Sequence, residues 1–378
     1  MIAFRPDPEI GFSQAVGIGG IGRGIVFALE DDHTLGRNES RLGALLDVRD
    51  YCKLHIVSHY MSRLMGCGED PATFAVIPVG VVGDDTTGRE LLREMNEAGL
   101  DIRFVRTHAR SRTQFSVCFV YPDGTGGNIT TNNSAASQLT LADLDTVREM
   151  MKDAGKRGLA VCLPEVPLGI RKEFLEIATE YSNYRTASFV YSEIPKAKEM
   201  GLLALLDLLS VNQEEASAVV GYPFDRKNPE GFLADVSAIL TRHQPEMRIV
   251  LSAGGLGAYG YEKGEWRFVR APQGQVVATA GAGDALLAGV LAALSAGLAF
   301  LPAGSLAQAE QSKQLESALE CAVFVASFSV SSPHTIHPEA DLAMVRKYAE
   351  SRGFRLADTL LQACHEVGSK RTDELSRV

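Results

Sequence analysis

The sequence predicts an α/β protein whose mainly parallel sheet is covered by helices on both faces. Three observations support that class. Short apolar runs rich in β-branched residues alternate with stretches of helical spacing from Phe74 to Ser252, and strands buried on both faces read as such continuous runs. The 378 residues are 46% hydrophobic and 22% charged, enough to bury one large core. No Pro/Gly-rich linker, internal repeat or low-complexity segment divides the chain, which favours one domain with appendages.

The elements follow in order. The segment 25–48, "IVFALEDDHTLGRNESRLGALLDV", has apolar ends around a polar middle and reads as an antiparallel excursion from the main sheet. "FAVIPVGVVG" reads as a buried strand. In "TTGRELLREMNEAG", Leu91, Leu92 and Met95 fall at helical spacing before Gly99, a suitable C-cap. "FSVCFVY" is a strand closed by the turn "PDGTGG". "LTLADLDTVREMM" is a helix capped by Thr140, with Asp143 at the third helical position. Strand "LAVCL", helix "IRKEFLEIATEY", strands "ASFVYS" and "LLDLLSV", a helix from "NQEEASAVV" and strand "RIVLS" continue the rhythm. "GQVVAT" reads as a strand leading into "DALLAGVLAALSAG", a strong helix former. Residues 285–306 carry no charge, a span long enough to cross a bilayer. Gly297 and Pro302 interrupt it, however, so a buried helix followed by a loop is the better reading. The tail after Pro338 is polar with a helical pattern.

The formal net charge of −10, with no long basic run, argues against a nucleic-acid or membrane-surface binder. An anionic ligand would need backbone amides, a metal ion or a few placed cations. Six scattered cysteines form no C-x-x-C pair, so no zinc or redox site is expected and a reducing, cytoplasmic setting is. "MIAFRPDPEI" lacks the basic and apolar regions of a signal peptide.

Two glycine stretches compete for a phosphate. Gly17-Ile-Gly-Gly-Ile-Gly22 matches the dinucleotide spacing G-x-G-x-x-G, but its lead-in is a weak strand and its exit is β-branched rather than helical. A turn packed too tightly for side chains explains it better. The second stretch, "ATAGAGDALLAG" from Ala278 to Gly289, opens a helix. Free first-turn amides and the helix dipole create an anion site at Gly281, Ala282 and Gly283. Asp284 then stands where a carboxylate can accept a proton from a hydroxyl attacking that phosphate; alternatively it only favours the dipole.

"ATAGAGDALLAG" closely resembles the signature of the ribokinase family of sugar and nucleoside kinases, also called the phosphofructokinase-B family. "VGVVGDDTTGRELLREMNEAGLD", "SVNQEEA" and "LSAGGLGAYGY" resemble further family segments in the family's order. The resemblance covers roughly residues 15–338. It implies a ribokinase-like fold: a Rossmann-like, mainly parallel sheet flanked by helices, with a small β-strand lid at about 25–48 and 112–131. The kinase domain would span 1–340, with a C-terminal helical extension at 341–378. It implies transfer of the ATP γ-phosphoryl group to a sugar hydroxyl, with Asp284 as the base and Gly281, Ala282 and Gly283 as the anion hole. Asn212 and Glu215 match the family's N-x-x-E and would hold Mg²⁺ through water; the same pair is also a capping box. Ser252, Gly254 and Gly257 would line the nucleotide, or simply form a tight strand exit.

The chain departs from the family in three places. The family's first strand often ends near an Asp that contacts sugar hydroxyls; here the region reads Gly22-Arg23-Gly24. The paired glycines before the next helix are replaced within "DYCKLHIVSHY". The Asp that usually starts the signature, a monovalent-cation ligand, is Ala278, which argues against K⁺ activation. Arg23, Lys53 and His55 instead offer cations at the substrate mouth, so the expectation is a sugar or sugar derivative carrying negative charge. A nucleoside acceptor and a non-catalytic, nucleotide-binding regulatory protein on the same fold are the alternatives. An NAD(P) enzyme using Gly17 to Gly22 is the rival from another class. Exposed lid strands would favour a homodimer.

Overall fold

The computed structural model describes residues 2–68, 74–303 and 313–367. A short strand β1 (Ile2–Phe4) precedes β2 (Gln14–Ile18), β3 (Gly22–Leu29), β4 (Gly43–Tyr51) and helix α1 (Lys53–Met65). Then come β5 (Ala75–Gly83), α2 (Thr86–Glu97), β6 (Val105–His108), β7 (Gln114–Val120) and β8 (Gly126–Thr130). From there strands and helices alternate: α3 (Leu141–Asp145), α4 (Arg148–Ala154), β9 (Gly158–Cys162), α5 (Leu168–Glu180), β10 (Tyr184–Ser188), α6 (Ile194–Glu199), β11 (Leu208–Asn212), α7 (Gln213–Val220), α8 (Pro229–His243) and β12 (Arg248–Ser252). The hairpin β13 (Gly257–Glu262) and β14 (Glu265–Arg270) precedes α9 (Ala282–Ser295).

The main sheet has nine strands in the order β14-β13-β12-β11-β10-β9-β2-β5-β6. Pairings from β12 to β6 are parallel, and the β13–β14 hairpin adds an antiparallel edge. Strand order reverses between β9 and β2, the kind of switch point that opens a crevice at the carboxyl ends of parallel strands. One face buries α1, α9 and the Ala318–Ser329 helix; the other buries α5, α7 and α8. α9 is apolar all round and buried along its length, so it belongs inside. Gly289 lets the Ala318–Ser329 helix approach it, since a Cβ there would stand 2.8 Å from Ala322 Cα.

A second sheet of order β4-β3-β7-β8 stands apart. β3 leaves β2 after three residues, and β4 runs directly into α1. The excursion expected at 25–48 is thus a β3–β4 antiparallel pair, extended by β7 and β8. The chain ends are tied together where Ile2–Phe4 pairs with Cys364–Glu366. The Leu342–Ser351 helix buries Leu342, Val345 and Ala349 against the main core.

Three local readings are corrected. Gln275–Thr279 is irregular rather than a strand, because only Val277 and Ala278 bond sideways, both to Val330 O. The strand expected at "ASFVYS" begins earlier, at Tyr184, and ends at Ser188. The helix capped by Thr140 and Asp143 has its capping box but breaks at Thr146–Val147 into α3 and α4. The charge-free run is α9 ending at Ser295 and a loop, and part of it lies outside the described residues. Among the described residues no helix is long and apolar enough to cross a membrane.

Asp85 fastens the two sheets. It caps α2 by accepting Gly88 N at 2.8 Å, and it also accepts Thr113 N at 2.8 Å and Thr113 Oγ1 at 2.7 Å, just before β7. Thr113 Oγ1 in turn accepts Gly83 N at 2.9 Å. Asp85→Ala removes a cap and orphans a part-buried hydroxyl and amide. We expect urea denaturation to show a loss of about 2–3 kcal/mol; an unchanged midpoint would contradict this role.

Candidate active site

The carboxyl ends of the parallel strands converge on one cleft of about 450 Å³. Asn212 and Ser252 end β11 and β12 as direct register partners. Both line the cleft with Lys53, Gly254, Gly257 and the stretch Gly281, Ala282, Gly283 and Asp284. Sequence positions more than two hundred residues apart are therefore brought together.

Gly281 caps α9 with φ 79°, and a Cβ there would meet Thr335 O at 2.8 Å, so the turn demands glycine. Gly283 differs: a Cβ would meet no described atom within 4 Å and would project into the cleft. Ala285 N, bonded to Gly281 O at 2.9 Å, makes the first helical bond, while Ala282 N donates to Thr279 O at 3.3 Å. The Gly283 and Asp284 amides thus precede the helical ladder, as an anion site requires. Gly257 at φ 129° and Gly254 at φ 59° turn the chain between β12 and β13 at the opposite wall.

Asp284 is 8% exposed. Lys53, the first residue of α1, donates from Nζ to its Oδ1 at 3.3 Å. Burial pushes the Asp284 carboxyl above its ordinary pKa against the opposing pull of Lys53, and Asp284 holds the ammonium charged above its own. A desolvated carboxylate beside an anion-binding helix terminus can accept a hydroxyl proton.

Arg23 and His55 stand elsewhere. Arg23 spends its guanidinium on Glu90 at 2.8 Å and Glu94 at 2.9 Å, both on α2. His55 is 1% exposed, and neither ring nitrogen has a partner among the described residues. It packs on Tyr51 and His59 at 4.5 and 5.8 Å between ring centroids. Burial holds its pKa well below the usual histidine value, so it is neutral. The cation cluster expected from the sequence reduces to Lys53, because Glu90 and Glu94 draw Arg23 to α2 and His55 turns into the core.

Three polar residues beside Lys53 escaped that reading. Glu165, just past β9, accepts Lys53 N at 3.2 Å and takes a left-handed φ of 76°, a strain common at functional sites. The buried Gln114 Oε1, next to Gly20, has no partner among the described residues. Asp50 is buried and accepts Ser116 Oγ at 3.2 Å. It pairs across β3 with Gly24, where a Cβ would strike its carboxylate. An acidic residue one place beyond Pro164, which closes the apolar run "LAVCL", was the available signal for Glu165; Asp50 had none. As for Gly17 to Gly22, β2 passes through that turn into strand β3 rather than a helix.

The sequence model of the pfkB family carbohydrate kinases matches residues 58–342, more than half of the chain. The chain belongs to that family. Solved structures share its fold. Ribokinase from Giardia lamblia is 17% identical with a TM-score of 0.68, over 90% of this chain and 99% of its own. Ribokinase from Cryptococcus neoformans var. grubii serotype A, in complex with ADP, is 18% identical with a TM-score of 0.64, over 89% and 99%. A Burkholderia thailandensis nucleoside kinase in complex with inosine is 15% identical with a TM-score of 0.66, over 90% and 99%.

A pfkB-family kinase acts on a nucleotide, and Mg²⁺ would accompany it. Among the described residues no group of three or more His, Cys, Asp or Glu could hold a metal ion. Asn212 and Glu215 form a reciprocal cap, Asn212 N to Glu215 Oε2 at 2.9 Å and Glu215 N to Asn212 Oδ1 at 2.8 Å. That leaves Glu215 one carboxylate oxygen, which suits an ion that keeps its waters better than a closed cage.

Burial raises the Glu165 carboxyl to about 7, against the lowering pull of Lys53. A raised folded-state pKa gives stability that is full below the unfolded value and lost as pH rises through about 7. Glu165→Gln keeps an acceptor for Lys53 N without the charge. We expect the variant to gain thermal stability over the native protein as pH rises from 5 to 8 in scanning calorimetry. Parallel stability curves would refute the shift.

Proposed function

We propose that the protein is an ATP-dependent sugar kinase in which Asp284 removes the proton from the attacking hydroxyl. The carrying observation is the Asp284–Lys53 pair at the point where the amide-lined start of α9 opens on the cleft. Gly281, Ala282 and Gly283 frame the space for the transferred phosphoryl group, with the Gly283 and Asp284 amides facing its charge. Lys53 neutralises charge there as Asp284 takes up the proton. Asn212, Ser252, Gly254 and Gly257 hold the nucleotide phosphates and ribose. Mg²⁺ would neutralise phosphate charge when bound, and Glu215 with Asn212 would orient its waters.

Asp50, Gln114 and Glu165 hold the sugar hydroxyls. They supply acceptor atoms, while Arg23 is neutralised by two carboxylates and His55 is enclosed. This balance favours an uncharged sugar over an anionic one, since Lys53 is the one cation of the expected set that reaches the cleft. Asp50 takes the place of the carboxylate that the first strand lacks, reaching over from β4 into the room that Gly24 leaves.

The small sheet acts as lid and as dimer surface in this reading. One of its faces carries Phe27, Phe119 and Leu45 in one row and Val117 and Ile129 in another. Leu45 and Ile129 are 63% and 71% exposed, and paired lids would cover them. We expect Leu45→Asp with Ile129→Asp to convert a dimer to a monomer in sedimentation velocity; a native monomer, or an unchanged dimer, would exclude this interface.

A panel of neutral and anionic sugars with ATP tests the activity. Asp284→Asn keeps the shape and the helix start but not the proton acceptor. We expect kcat to fall by roughly 10²–10⁴-fold with ATP affinity kept. Near-native turnover in the folded variant would overturn the mechanism.

A further inference from the structure

One part of the cleft has a different chemistry from the surroundings of Asp284. Its lining there is Val276, Val323, Ala326, Val330 and Tyr348. Val276 is 58% exposed, an apolar side chain left open at the mouth. A cleft lined both by helix-terminus amides and by aliphatic and aromatic groups suits a phosphorylated molecule with a flat, apolar head.

Tyr348 comes from an unexpected part of the chain. It lies on the Leu342–Ser351 helix, past Leu342 where the family match ends. Three features fix its ring. The Arg352 guanidinium lies 5.1 Å from the ring centroid, and Phe328 meets it edge-on at 5.8 Å. Gly274 makes room for the hydroxyl: a Cβ there would stand 2.8 Å from Tyr348 Oη and 3.2 Å from Arg352 Nη2. The helix itself is anchored by other residues, through the Asp341 cap to Met344 N at 2.7 Å and the buried Leu342, Val345 and Ala349. The half-exposed Tyr348 is therefore not needed to hold it.

We propose that Tyr348 forms a wall of the nucleobase subsite, so that the C-terminal helix sets affinity for the nucleoside part of the nucleotide. This deepens the ATP-kinase reading and rests on it. The ring offers a rigid stacking surface at low conformational cost, and Arg352 behind it keeps it from turning away.

The test uses the full chain and two probes, ADP and inorganic pyrophosphate, measured by calorimetric titration. Stacking on one aromatic side chain gives roughly tenfold in affinity. We expect Tyr348→Ala to weaken ADP by about that factor and to leave pyrophosphate binding unchanged. Tyr348→Phe should stay close to native. With ATP varied, KM should rise in Tyr348→Ala while kcat at saturation holds. Unchanged ADP affinity in a folded Tyr348→Ala protein would overturn the proposal. So would equal loss of ADP and pyrophosphate, because that pattern marks a helix that merely supports the fold. Failure of the native protein to bind ADP would instead sink the kinase reading, and the proposal with it.

Discussion

The Lys53–Asp284 ion pair organises the molecule. It joins the first residue of α1 to the first turn of α9, two helices that pack side by side in the core. Partners withdrawn from water this far attract strongly but lose hydration, so the pair is held in place by its neighbours rather than by its own strength. The neighbours are specific. Glu165 fixes the start of α1 through Lys53 N, and Thr335 packs on Gly281 while accepting Tyr51 N at 3.1 Å. Loop 331–337, the end of β4 and the start of α9 thus meet at one joint. The small sheet is joined to Lys53 at that joint, because β4 and α1 are separated by one residue.

That arrangement explains why charge is so unevenly placed. Four carboxylates, Asp50, Glu165, Glu215 and Asp284, influence one another around a single ammonium. Burial raises all four, and Glu165 and Glu215 reach about 7. An excess of buried negative charge is unfavourable in the empty protein. In the proposed reaction the hydroxyls of a sugar, and the waters of a cation brought in with phosphates, would relieve it. Part of the folding free energy is given up to keep the site ready for ligand, a common compromise at catalytic centres.

The sequence showed most of the frame and half of the site. Alternation of period and polarity located the strands from Ala75 to Ser252, because parallel strands buried on both sides read as short apolar runs. Turn chemistry located Gly281, where only a left-handed residue fits, and the Gly283–Asp284 pair beside it. "GQVVAT" misled, since its Val277 and Ala278 amides donate to Val330 O without joining a ladder. The cation cluster also misled. Arg23 meets Glu90 and Glu94 only because β3 crosses α2 in space, and nothing in the spacing of those residues announces it. Asp50 was hidden for the same reason: its role follows from pairing with Gly24 across a strand register that the sequence does not encode locally.

The two glycine stretches show how one composition serves opposite ends. At Gly20 and Gly22 a Cβ would strike Gln114 and neighbouring groups, so these positions are glycine because protein fills the space. At Gly283 a Cβ would strike nothing described, and the residue lines the cleft. A motif matched letter by letter cannot separate these cases. What separates them is the element that follows. β3 carries the chain from the first stretch into a sheet, with its amides committed to strand partners. α9 leaves the second stretch with amides that no helical carbonyl precedes, and in the proposed reaction they face the phosphoryl group.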